Sequence, residues 1–74
     1  MNFVIDSQNY NVSVNLAEVV GIVAPDISSK NGKYYIQFYT KDKSFFWFYD
    51  NKDQRDFVYN NYFLPMFHQI DVLR

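Results

Sequence analysis

Nine of the sixteen residues from Tyr34 to Tyr49 are aromatic, in two runs separated by Thr40-Lys41-Asp42-Lys43-Ser44. Alternate side chains of a strand point to opposite faces, and here the rings fall at odd and even positions alike. Folded as a hairpin across the polar turn, the segment is aromatic on both faces. One face can be the core of the domain. The other then needs a cover from elsewhere.

The turn decides which rings share a face. A two-residue loop at Lys41-Asp42 sets Phe38 opposite Phe45 and Ile36 opposite Trp47, which mixes ring types on both faces. A three-residue loop at Lys41-Asp42-Lys43 sets Phe38 opposite Phe46 and Ile36 opposite Phe48. One face then reads Tyr34, Ile36, Phe38, Phe46, Phe48, and the other Tyr35, Gln37, Tyr39, Phe45, Trp47, Tyr49. Buried hydroxyl and indole groups need hydrogen-bond partners that a dry core rarely supplies. The three-residue loop is therefore expected, with Ile36, Phe38, Phe46 and Phe48 in the core and Tyr35, Tyr39, Phe45, Trp47 and Tyr49 open to a partner.

Elsewhere the pattern predicts a single α+β domain over residues 1–74: a small antiparallel sheet of about five strands, with one C-terminal helix packed on one face. Phe3-Val4-Ile5-Asp6 reads as a first strand, and Ser7-Gln8-Asn9 supplies turn chemistry. Tyr10 to Leu16 alternates with apolar residues at even positions, as a half-buried strand does, and completes a hairpin. Val19-Val20-Gly21-Ile22-Val23 suits a third strand with a bulge or bend at Gly21, against the alternative of a short helix over Leu16 to Val23. Residues 25–33 form a loop joining the two halves of the domain, with Asn31-Gly32 as its turn pair. Asn51 is placed to cap a helix from about Lys52 to Leu64, with Gln54 completing a capping box and Pro65 stopping or kinking it. Phe57, Val58, Asn61 and Tyr62 share one helix face, with Tyr59 and Phe63 beside it. The tail 66–74 reads as strand or short helix, and it is one candidate cover for the second aromatic face.

Composition narrows the chemistry. There is no cysteine, so disulfides, thiolate catalysis and most structural zinc sites are excluded, which fits a cytoplasmic setting. No basic and apolar leader and no membrane-spanning run is visible, and the triplet Asn11-Val12-Ser13 has no meaning without secretion. Seven Lys+Arg stand against eight Asp+Glu, so the roughly 6–10 phosphate contacts of a duplex binder would take nearly every cation. His68 has only Asp71 nearby in sequence and no nucleophile motif. Asp50, Asp53 and Asp56 lack an EF-hand's glycine and distal glutamate, and helix capping and dipole complementarity account for them. No enzyme activity, cofactor or metal is expected.

The strand Tyr34-x-Ile36-x-Phe38, the turn, the strand Phe46-x-Phe48 and the acidic helix start Asp50 to Asp56 resemble small bacterial and phage domains with a pleckstrin-homology-like ending. That resemblance covers residues 10 to 64 and implies a binding role without transferring site residues. Tyr and Trp are the ring types enriched at interface hot spots. The expected function is therefore protein binding through Tyr35, Tyr39, Phe45, Trp47 and Tyr49, to another protein or a second copy of the chain. Stacking of single-stranded nucleic acid, with Lys33, Lys41 and Lys43 nearby, is the alternative. The composition, rich in Asn, Tyr and Phe, suits a phage or mobile-element inhibitor or adaptor of a host protein.

Overall fold

The computed structural model describes residues 3–67. Five short strands fall into two antiparallel sheets. β1 (Phe3–Val4) pairs with β2 (Val14–Asn15), and β3 (Gly21–Val23), β4 (Tyr34–Tyr39) and β5 (Ser44–Tyr49) form a second sheet in the order β3-β4-β5. A helix, α1 (Lys52–Val58), follows and runs on through a π-helical turn (Tyr59–Phe63) into a 3-10 turn (Leu64–Met66).

The single sheet expected from the sequence is thus two sheets, and the reason lies in residues 6–12. Asp6 accepts from Gln8 N–H and from the Asn9 side-chain amide, and Asn9 and Val12 N–H bond back to Asp6 and Asn9 carbonyls. These turns consume the stretch that alternation assigned to a long strand. Three of its inward positions survive nonetheless: Val14 is buried and Val12 and Leu16 pack against the core, whereas Tyr10 is exposed. The third strand, anticipated from Val19, begins only at Gly21, after a 3-10 turn (Leu16–Glu18) capped by the Asn15 side chain on Ala17 N–H. Gly21 lies in regular register opposite Tyr39, so no bulge forms there. Gly32 takes the positive φ of 77° that the turn pair called for.

The aromatic hairpin closes with the two-residue loop. Tyr39 faces Ser44, Phe38 faces Phe45, Ile36 faces Trp47 and Tyr34 faces Tyr49. The preferred three-residue register is corrected, and the turn shows why. Thr40 replaces the glycine or asparagine such a loop usually needs: its N–H and hydroxyl both donate to the Lys43 carbonyl, at 2.8 and 3.0 Å, and its hydroxyl accepts from Lys43 N–H at 3.2 Å.

One register step reassigns the whole of β5. Ile36, Phe38, Trp47 and Tyr49 are buried with Val14 and Phe63, and Phe45 packs at their margin. The helical segment and the β1–β2 hairpin both cover this face. Along the helix, Arg55 and Phe63 are buried and Val58 and Tyr59 are half-buried, whereas Phe57 and Tyr62 are exposed. In an unbroken α-helix residue 62 would stand over residue 55; the wider π turn hands that place to Phe63. Phe63 then meets Phe38 edge-on at 5.4 Å and Trp47 at 5.8 Å. The N-cap is as expected, with Asn51 Oδ1 accepting from Gln54 N–H at 2.9 Å, but the Gln54 side chain makes no return bond that would complete a capping box.

Candidate interaction surface

The other face of the three-stranded sheet carries Val23, Tyr35, Gln37, Tyr39, Phe46 and Phe48. Among the described residues no element packs over it. Phe46 and Phe48 stack with ring centroids 5.7 Å apart and planes 12° from parallel. Tyr35 meets Phe46 edge-on at 5.5 Å and lies 5.9 Å from Phe48. The three rings form one contiguous apolar surface. Phe48 and Tyr39 are each 41% exposed.

The sequence named five partner-binding residues, and the structure divides them. Tyr35 and Tyr39 lie on the open face. Trp47 and Tyr49, at 2% and 1% exposure, are sealed inside the protomer, and Phe45 sits half-buried beside them with Lys43 over its ring at 5.5 Å. Trp47, Tyr49 and Phe45 therefore do not contribute to an open surface; Phe46 and Phe48, assigned to the core by sequence, replace them. The polarity of the Trp47 indole misled the assignment because its partner came from outside the hairpin. Trp47 Nε1–H donates to the Val12 carbonyl at 2.7 Å, which lets the indole be buried at little cost. The Tyr49 hydroxyl has no partner in hydrogen-bonding geometry among the described residues. Burial, then the negative charge of Asp6, holds its ionisation well above the usual tyrosine range.

Two polar residues that sequence reasoning missed fix the backbone behind the open rings. Asn9 reaches the outer edge of β5, where its amide donates to the Phe48 carbonyl at 3.1 Å and its Oδ1 accepts from Phe48 N–H at 2.8 Å. Arg55, 1% exposed, donates to the Tyr35 carbonyl at 2.9 Å and to the Pro25 carbonyl at 2.8 Å. It thereby bridges the gap where β3 ends at Val23 and the chain leaves β4. Its guanidinium lies 5.6 Å from the Tyr34 ring centre and bonds Asp56 at 2.9 Å, with the Asp26 carboxylate 3.8 Å away. Helical spacing from Val58, three residues on, marks Arg55 as inward, but its carbonyl partners are set only by the tertiary fold.

Two of the three acidic residues near the helix start, Asp50 and Asp56, are spent on ion pairs. Asp50 pairs with Lys33, and Asp56 pairs with Lys52 at 2.7 Å as well as with Arg55. Hydrogen bonds from these cations hold both carboxylates below the usual carboxylate range. Among the described residues no group of three His, Cys, Asp or Glu stands close enough to hold a metal, and no helix is long and apolar enough to cross a membrane. His68 and the remainder of the tail, including its suggested covering of the aromatic face, lie outside the described residues. A second apolar hollow, of about 450 Å³, lies between the ends of the described chain, lined by Val4, Leu16, Trp47, Val58, Phe63 and Met66 among others. Its lining is mainly apolar and includes Tyr62.

No protein-family model, curated protein or solved structure matches this chain. The likeness to pleckstrin-homology-like domains rests on the residues alone. Of its matching positions, Tyr34, Ile36 and Phe38 lie on the core face and Phe46 and Phe48 on the open one.

Proposed function

We propose that this protein is a non-catalytic binding module that recognises another protein through the sheet face built by Tyr35, Tyr39, Phe46 and Phe48. The observation that carries this reading is the contiguous Tyr35–Phe46–Phe48 cluster, standing on a regular sheet with no described element over it. Anchoring of Tyr35 by Arg55 and of Phe48 by Asn9 supports it further, because rings on a fixed backbone lose little freedom on binding. Such a module would act by occupying a surface of the protein it binds, as an inhibitor or adaptor does.

Binding of single-stranded nucleic acid draws less support. Lys33 is held by Asp50 and Lys43 lies over Phe45, so neither is directed at the open rings.

The test is selection of binders from a displayed random-peptide library against the native chain, followed by binding to Phe48→Ser and Tyr35→Ser. Selected peptides should shift the amide resonances of β4 and β5 and lose most of their affinity for both variants. Peptides that engage both variants unchanged, while the variants keep the native fold by tryptophan emission, would overturn the reading.

A further inference from the structure

The ladder between β4 and β5 has a fixed parity. Thr40 N–H bonds Lys43 C=O, so even-numbered β4 residues exchange hydrogen bonds with odd-numbered β5 residues. The backbone groups of Ser44, Phe46 and Phe48 consequently point away from β4, along the outer edge of the sheet, where β5 is the last strand among the described residues. Asn9 confirms this independently by bonding both the N–H and the C=O of Phe48 from outside. Its side chain stands where a neighbouring strand would. Ser44 and Phe46 have no such partner among the described residues.

We propose that this short free edge pairs with the same edge of a second copy of the chain, antiparallel about a twofold axis at Phe45. Ser44 of each copy then lies opposite Phe46 of the other, and the two pairs exchange four backbone hydrogen bonds. The register follows from what is already occupied. Centring the axis on Phe46 would set Phe48 against Ser44 and require Asn9 to leave. Centring it on Ser44 would set Phe46 against the Lys41-Asp42 turn. Only the axis at Phe45 uses every free group and leaves Asn9 in place. Free strand edges invite such pairing, and here the side-chain plug limits its length.

The pairing rests on backbone groups and is independent of what the open face binds; its consequence deepens that reading. Opposite residues in an antiparallel pair share a face, so a six-stranded sheet would present both ring clusters on one side. Four rings of roughly 150–250 Å² each, about a third exposed, offer one copy only ~200–350 Å², against ~800 Å² per partner in a standard interface. Two copies side by side approach that size.

The experiment is sedimentation of the full chain from micromolar to millimolar concentration, with amide exchange followed by NMR over the same range. The expected result is a dimer in which Ser44 and Phe46 amides gain protection as concentration rises, while Phe48 stays protected throughout. Ser44→Pro removes only an outward donor, so it should keep the monomer fold and lose dimer wherever the native chain forms it. A chain monomeric at every concentration overturns the proposal. So does a dimer whose Ser44 and Phe46 amides exchange at the monomer rate, which would instead mark face-to-face association and leave the open-face reading standing.

Discussion

Tyr49 places a hydroxyl inside the protomer between Asp6, Asn9 and the core rings, and it shows how single residues set this structure. The sequence rule that a buried phenol or indole needs a partner was sound, and Trp47 obeys it through Val12. What composition could not reveal is that the partner lies 35 positions away, brought in by the turns at Asp6 and Asn9. Tyr49 is less well served, and the sign of its pH effect follows. The folded chain holds its proton more tightly than the unfolded chain, so above about pH 10 unfolding releases a proton and rising pH favours the unfolded state. The stability in question is fully present below the ordinary tyrosine pKa and is lost as pH rises beyond it. Tyr49→Phe should change stability near neutrality by no more than about 1 kcal/mol and reduce the alkaline loss. Urea midpoints at neutral and strongly alkaline pH check this; equal alkaline losses in both proteins would contradict it.

Among the elements, legibility followed how local the determining contact is. The helix start at Lys52 was readable because the Asn51 side chain caps Gln54 N–H, three residues on. The helix face was only partly readable, because a π turn moves the inward position from residue 62 to Phe63 and α-helical spacing does not foresee it. The turn at Lys41-Asp42 misled by one residue. It lacks the glycine that two-residue hairpin loops favour, and Thr40 supplies through a side chain what the loop backbone omits. Thr40→Val keeps the branched shape and removes both hydroxyl bonds. It should cost about 1 kcal/mol, measured by chemical denaturation. No loss would mean that the register is held by the rings alone.

At the scale of the whole molecule, the described residues form one core and leave one ring-bearing face over. That a two-sided aromatic ribbon would exceed what one helix can cover was legible from the alternation of Tyr34 to Tyr49 alone. Which side faces out was not, because a single register step exchanges Trp47 and Tyr49 for Phe46 and Phe48. Covering the core face takes the β1–β2 hairpin as well as the helix, and together they leave the Tyr35–Phe46–Phe48 side open among the described residues. The sequence holds one tryptophan, so its emission reports on this division without any substitution. At concentrations low enough to keep the chain monomeric, Trp47 fluorescence should be blue-shifted and shielded from iodide until the protein unfolds. Red-shifted emission, quenched by iodide in the folded monomer, would put Trp47 on the open face and contradict the register on which both proposals stand.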